Sequence, residues 1–436
     1  MDKNAKEKLN TQPYKGARDF YPEDMKVRNF IFENWKKVCK SYGYEEYDGP
    51  FLENFDLYAA KSGEELVNEQ LYSFTDRGNR KVAIRPEMTP TLARMVAKKL
   101  NELAKPIRWF SIANFWRYEK PQRGRGREFF QLNADIFGFE GIEADFEVIS
   151  LAIDLMKSFD AKEGMFEIRI NDRKLIDDFY RKLKLNESQI KIVNKAIDKK
   201  TKISEEEFEE WLADEAKMSK PQLEKLVNFM ENPYPTLEEL LNEKSEGALE
   251  LKNILNLIDK YKLNNLVKFS PSVIRGLDYY TGMVFEIFDL NPQNTRAIAG
   301  GGRYDNLINL FSEENLTGTG FAMGDITLQD FLLTWNLLPG FESECEYLVT
   351  LWPSEDTKFL EKTLEVSNIL RGKGKNVSTW LEKNTKLDKQ LKYADKKGFK
   401  YAVIIGENEI KKNTIMIKDM VTKNQSEIEL NDEFSI

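Results

Sequence analysis

The sequence predicts an α+β protein of several domains, with a helical insertion and a small α/β domain at its C-terminal end. Three observations carry that expectation. The chain has 436 residues, well beyond the roughly 150 of one typical domain. Apolar periodicity switches along it between strand-like alternation and helical spacing. Composition also changes near residues 171, 268 and 338, which divides the chain into 1–170, 171–268, 269–338 and 341–436.

The opening helix follows Pro22, Glu23 and Asp24, with Phe30, Ile31, Trp35, Val38 and Cys39 at helical spacing and Gly43 ending it. Residues 43–164 are dense in aromatics, glycine and proline, with strand-like runs such as 109–115 and a long amphipathic helix over 145–159. Residues 165–170 alternate like a strand. From 171 to 268 the chain is rich in Lys, Glu, Leu and Asn and poor in Gly, which predicts a helical insertion. Strand character returns at 281–290. Leu338-Pro339-Gly340 reads as a linker. Beyond it, 346–352 (strand), 357–373 (helix), 386–397 (helix) and 401–406 (strand) alternate as in an α/β domain.

Composition narrows the chemistry. Apolar residues make up 41% and charged residues 32%, an ordinary globular balance that excludes a mainly disordered chain. No apolar run is long enough to span a membrane, and polar residues 1–11 do not form a secretory signal. Two distant cysteines, Cys39 and Cys345, predict a reduced, cytoplasmic protein without a metal-type thiol cluster. A net charge of −8 argues against a uniformly basic surface, not against local patches. The chain contains no histidine. That excludes a Ser/His/Asp triad, a zincin motif and any imidazole metal ligand. There is no P-loop or dinucleotide-binding glycine motif in strand–helix context.

Five clusters are candidates for chemistry. Residues 105–130 hold seven basic residues against two acidic ones, interleaved with seven aromatics. They predict an antiparallel hairpin whose tip, 121–126, would present guanidinium groups to phosphates and ring faces to bases. A solvated basic loop is the plainer alternative. Arg85-Pro86-Glu87-Met88-Thr89-Pro90 is a stiff segment suited to holding an ammonium group, or simply to starting a helix with Thr89 as cap and Pro90 first inside. Arg275-Gly276-Leu277-Asp278-Tyr279-Tyr280 and Gly300-Gly301-Gly302-Arg303-Tyr304-Asp305 follow. The fifth is a glycine-rich strand from Gly318 that enters a helix Asp325 could cap.

The joint order of these motifs resembles the histidyl-tRNA synthetase family of class II aminoacyl-tRNA synthetases, over essentially the whole chain. Tyr14-Lys15-Gly16-Ala17-Arg18-Asp19-Phe20 resembles the family's opening signature, and Gly49-Pro50 within 44–55 its dimer-interface motif 1. Arg117-Tyr118-Glu119 through Gln131 resembles motif 2. The Arg275–Tyr280 run and Gly301–Asp305 segment resemble the two signatures of the histidine enzyme, and residues 389–419 resemble its anticodon-binding domain.

The resemblance implies a six-stranded antiparallel catalytic sheet with flanking helices, a C-terminal α/β anticodon-binding domain, and a homodimer. It implies a histidine–tRNA ligase whose substrates are L-histidine, ATP with Mg²⁺, and tRNA(His). By position, Arg117 would bind the α-phosphate, Glu119 the adenine end and Arg125 the outer phosphates. Glu87 and Thr89 would hold the substrate ammonium, with Met88 beside them. Gln131, Asp135, Tyr279, Tyr280 and Tyr304 would line the amino-acid pocket. Arg275 would contact both carboxylate and α-phosphate and, with Arg117, carry catalysis. One departure stands out: Thr327 occupies the place where class motif 3 carries an arginine that packs on adenine. Arg296 or Arg303 is the expected replacement. Two other readings are a non-catalytic paralogue, such as the regulatory subunit of ATP phosphoribosyltransferase, and a related synthetase of different specificity. The residues beyond 340 and the Arg275–Tyr280 run weigh against them.

Overall fold

The computed structural model describes residues 9–60, 66–200, 203–274 and 280–430. Arg275 and Tyr279 lie outside the described residues. The chain divides into two compact units, Met1–Leu338 and Pro339–Ile436. Among the described residues no helix is long and apolar enough to cross a membrane.

The strands of the first unit are β1 (Glu45–Glu46), β2 (Leu52–Asn54), β3 (Ser73–Thr75), β4 (Lys81–Ile84), β5 (Ile107–Trp116) and β6 (Glu128–Phe137). They continue with β7 (Phe166–Asp172), β8 (Val267–Phe269), β9 (Met283–Asp289), β10 (Ala297–Tyr304) and β11 (Gly318–Gly324). The central sheet corrects the expectation of six antiparallel strands. It has eight, in the order β1-β5-β6-β11-β10-β9-β7-β8, and it is mixed. The six from β5 to β7 in that order do pair antiparallel. The outer two are parallel to their neighbours, β1 to β5 and β8 to β7. Parallel neighbours need a long crossover, and the chain supplies one in each case. The first is residues 47–106, which include the small sheet β2-β4-β3. The second is a run of helices from Arg173–Lys182 to Glu246–Lys260.

Alternation along the strands gives the sheet two different faces. Phe110, Leu132, Ala134, Ile136, Phe321 and Met323 point to one side and pack with Ile31 and Trp35 of helix Pro22–Ser41 and Val148 and Ala152 of helix Ile142–Lys157. The stripe that defines the opening helix is thus the one that it buries. On the other side, in register across β6, β11 and β10, lie Gln131 and Gly324, then Asn133, Ala322 and Gly300, then Asp135, Gly320 and Gly302. That face is nearly bare over β10 and β11, which leaves a trough.

Two local expectations are corrected. Helix Thr89–Lys98 has Met88 as its N-cap, with Thr89 already helical and Pro90 second; a proline at either position gives up an N–H that the first turn does not use. Asp325 does not cap helix Asp325–Thr334, because Gly324 precedes it as the cap residue. The Asp325 carboxylate instead takes the Arg18 guanidinium at 2.8 Å and the Phe130 N–H at 2.9 Å. A cation is a stronger partner than one more backbone N–H.

The second unit is a five-stranded sheet in the order β13-β12-β14-β15-β16, built from β12 (Tyr347–Val349), β13 (Val377–Thr379), β14 (Tyr401–Ile404), β15 (Thr414–Asp419) and β16 (Gln425–Glu429). Helix Thr357–Gly372 packs Val366 and Leu370 on one side of it with Val349 and Val403, and helix Leu387–Lys397 packs Ala394 with Leu348 and Ala402. Parallel pairing of β12 with β13 and β14 is what the alternating strand and helix pattern calls for.

The bare face yields a prediction. A Cβ at position 320 would lie 2.2 Å from the Asp135 carboxylate and 2.7 Å from the Ala134 carbonyl, whereas one at 300 would come no nearer than 3.4 Å to any neighbour. Gly320→Ala is therefore expected to destabilise the first unit by about 1–3 kcal/mol. Gly300→Ala should stay within about 0.5 kcal/mol of the parent. Denaturant unfolding of the two variants checks this, and equal midpoints would refute it.

Candidate active site

The trough opens into a cavity of about 260 Å³ lined by Arg117, Glu119, Arg125, Phe129, Gln131 and Thr327, among others. Its cations come from the hairpin of β5 and β6, whose tip carries the basic run. Arg117 stands just past β5, its Nε donating to the Pro86 carbonyl at 2.9 Å and its guanidinium 5.3 Å from the Phe129 ring centroid. That hydrogen bond brings the hairpin to the Glu87–Thr89 segment. Glu87 and Thr89 are half-buried, and Met88 is fully buried against Ala113 and Phe115. Glu119 is buried and forms an ion pair with Arg125.

Further along the same face of β6 lies Asp135, buried beside Tyr304, whose hydroxyl donates to its Oδ1. Its Oδ2 is also buried and has no hydrogen-bond partner among the described residues. Burial pushes the Asp135 carboxyl up to about 7, against the opposing effect of the tyrosine hydroxyl. Buried polar atoms without partners are uncommon in proteins and mark places where a ligand completes the set. Glycines make room for this group: a Cβ at 320 would strike Asp135, one at 318 would meet the Tyr304 ring at 2.6 Å, and one at 302 would meet the Tyr280 ring at 3.1 Å. Tyr280 is half-buried against the cluster of Leu92, Ile107 and Tyr304.

The residues expected to act on ATP, Arg117, Glu119 and Arg125, thus line one cavity together with Gln131. Asp135, Tyr304 and Tyr280 gather around the adjoining glycines. Arg275 and Tyr279 are not among the described residues. Arg303, one of the two candidate replacements for the motif 3 arginine, belongs to the opposite face. It is buried, with Nε 3.0 Å from Asp145 and further hydrogen bonds to the carbonyls of Phe139 and Gly141. Burial holds the Asp145 carboxyl up at about 6, and the Arg303 charge opposes that shift.

Several supporting residues gave no local signal of their role. Arg18 joins Glu128 at 3.3 Å to Asp325 at 2.8 Å and so ties the N-terminal segment to β6 and to the helix after β11. The Gly16 carbonyl accepts the N–H groups of Arg127 and Glu128 at 2.8 and 3.2 Å. Arg85, also buried, donates to the Asn114 carbonyl, to Asp48 and to the Gly49 carbonyl, fixing the turn at residues 48–49 against β5. Membership of the opening motif was the one available sign for Arg18; Arg85 had only its place in a stiff Pro-bracketed run.

Residues 16–326 match the family model described as histidyl-tRNA synthetase, and residues 348–435 match an anticodon-binding domain. The chain is 48% identical over 421 residues to the histidine–tRNA ligase of Leptospira biflexa, which covers 96% of this chain and 95% of that one. It is 35% identical over 430 residues to the chloroplastic/mitochondrial histidine–tRNA ligase of Arabidopsis thaliana, covering 98% and 86%. The crystal structure of histidyl-tRNA synthetase from Nostoc sp. PCC 7120 is similar with a TM-score of 0.80 at 25% identity, over 97% of both chains. A Bacillus halodurans chain described as an ATP phosphoribosyltransferase regulatory subunit/histidyl-tRNA synthetase shares the fold, with a TM-score of 0.72 at 23% identity over 89% of this chain and 97% of that one. The catalytic model covers most of the first unit and the anticodon-binding model most of the second: the chain belongs to the histidyl-tRNA synthetase family.

Proposed function

We propose that the first unit joins L-histidine to the α-phosphate of ATP and then passes it to the 3′ end of tRNA(His), releasing diphosphate and AMP in turn. The observation that carries this reading is the buried, half-satisfied Asp135 carboxylate beside Tyr304, next to a cavity walled by Arg117 and Arg125. A ring N–H of histidine is the donor that Oδ2 lacks. An apolar or isosteric amino acid would leave it unpaired, a costly mismatch in a buried site.

In the first step an oxygen of the histidine carboxylate bonds to the α-phosphorus and the bond to diphosphate breaks. The attacking carboxylate is already ionised, so no protein base is needed. The requirement is placement and charge stabilisation. Arg117 and Arg275 share the charge of the α-phosphate, with Arg275 also holding the carboxylate. Arg125 leaves Glu119 for the outer phosphates, which frees Glu119 for the adenine end. Glu87 and Thr89 hold the ammonium beside Met88, while Gln131, Tyr279, Tyr280 and Tyr304 enclose the side chain. Mg²⁺ arrives with ATP and offsets charge on its phosphates. The second unit engages the tRNA anticodon: residues 371–423 hold 14 basic residues against 6 acidic ones, suited to phosphate contacts. The enzyme acts in the cytoplasm as a homodimer through residues 44–55, where Phe51 and Leu52 are exposed on the single chain.

Exchange of labelled diphosphate into ATP, measured with each of the common amino acids, tests the reading. Histidine alone should support it; exchange with another amino acid, or none, would overturn it. Arg275→Ala should lower the exchange rate about 10²–10³-fold, the scale for losing one preorganised donor. Arg275→Lys should recover little, since an ammonium cannot fork across carboxylate and phosphate.

Asp135→Asn keeps an acceptor for Tyr304 and removes the charge. It should raise the histidine KM at least about tenfold, the scale of one charge-assisted hydrogen bond, and leave the ATP KM nearly unchanged. Stability should move the other way. The Asp135 carboxyl ionises near 3.8 when unperturbed and near 7 when buried, so its contribution to stability is lost as pH rises between those values. The Asn variant should therefore melt higher than the parent at pH 8 and near it at pH 4. Equal changes in both KM values, or a lower Tm at pH 8, would mean that Asp135 only supports the fold.

A further inference from the structure

Among the described residues the cavity presents one aromatic ring, Phe129, for the adenine to lie against. The remaining wall lies across β11, where Ile298 of β10 and Thr327 of the following helix meet Gly124 of the hairpin tip. Thr327 cannot supply a charge there. Its hydroxyl turns back to the carbonyls of Ile298 at 3.2 Å and Gly324 at 3.4 Å. A cation lies close behind that wall on another element. Gly124 has φ +70°, and the point where its Cβ would sit is 3.0 Å from Cδ of Arg296, 3.5 Å from Cγ2 of Thr327 and 3.7 Å from Oδ2 of Asp330. The stem of Arg296 therefore runs between the hairpin tip and the first turn of the helix, over the place that a long side chain at 327 would fill.

Arg296 is half-buried and lines a smaller pocket of about 60 Å³. That pocket shares Gly124, Ile298 and Thr327 with the larger cavity, so the two adjoin at those residues. Three other guanidinium groups are placed differently. Arg303 is on the core face with Asp145, and Arg18 bridges Glu128 and Asp325. Arg123 lies out at the tip, 3.9 Å from Asp330. We propose that Arg296 is the guanidinium that packs on the adenine of ATP, reaching it from the segment before β10 and taking the place of the arginine missing at 327. A guanidinium plane stacks on an aromatic ring whichever strand delivers it. The absence of a side chain at 124 is what lets the stem pass. This assignment rests on the proposed adenylation reaction.

The test uses the full-length protein and exchange kinetics, with the KM for ATP, histidine and diphosphate measured separately. Arg296→Ala should raise the ATP KM about thirtyfold, as expected for losing a desolvated cation–π contact. It should change the histidine and diphosphate KM values less than about twofold, because the contact is to the base. Arg296→Lys should recover part of the loss. Thr327→Arg added to Arg296→Ala should recover most of it, since both stems lead to the same wall. An unchanged ATP KM in Arg296→Ala would overturn the assignment, as would parallel rises in the ATP and histidine KM values, or a double variant no better than the single one. If the parent itself shows no histidine-dependent exchange, the underlying reaction fails as well. Calorimetry with adenosine then judges Arg296 by itself: affinity lost in Arg296→Ala supports the base contact, and equal affinity refutes it.

Discussion

The candidate site depends on one constraint: a stretch of the central sheet must stay bare on one face. Between Gly318 and Gly324 on β11, and at Gly300 and Gly302 on β10, the residues facing the trough are glycine or, at 322, alanine. Glycine in a strand is costly, because it gives up side-chain packing and orders a flexible backbone. The opposite face offsets that cost. Phe321 and Met323 of β11 and Phe285 of the neighbouring β9 are buried against the core helices, and β10 and β11 are hydrogen-bonded on both sides. The space of the candidate site is thus made in the middle of the sheet, where the backbone is most firmly held, and not in a loop.

Arginines then divide between holding the site and serving it, and sheet geometry sets the division. Position 303 differs by one from 302 and 304, so its side chain passes through to the core and meets Asp145, while Tyr304 faces the pocket. Arg18 and Arg85 spend their donors on Glu128, Asp325, Asp48 and backbone carbonyls, and so fix the segments that carry the motifs. Arg117 does part of both, with one donor on the Pro86 carbonyl and its plane in the cavity. A buried charge is stable only with such partners. This is why the density of basic residues in 105–130 alone could not separate binding groups from structural ones.

Much of the candidate site was legible because its residues sit in dense local runs. The basic hairpin, the glycine segment at 300–302, the long helix after β6 and the alternation beyond residue 340 all follow from short-range pattern. What pattern did not reach were contacts between distant segments and very short elements. β1 has two residues and β8 three, too few for any period, so the parallel edges of the sheet were missed. Asp325 reads as a helix cap until Arg18, 307 positions away, is brought to its carboxylate. The choice between Arg296 and Arg303 was open for the same reason. Sequence order places both near the glycines, and only the register of β10 against β11 shows that one points into the core.

The absence of histidine follows the same logic from the chemical side. Activation of a carboxylate by ATP moves no proton at the attacking atom, so the commonest proton-transfer side chain has no task in that step. The recognition partner for an imidazole is best an acceptor, and in the proposed complex that is Asp135, whose second oxygen has no hydrogen-bond partner among the described residues. A protein imidazole near that carboxylate would compete for it, because the two are complementary in hydrogen bonding and in charge. In the proposed complex the substrate brings the only imidazole to the site. A chain with no histidine of its own also draws nothing from the aminoacyl-tRNA that it makes, so its translation has no step that depends on its product.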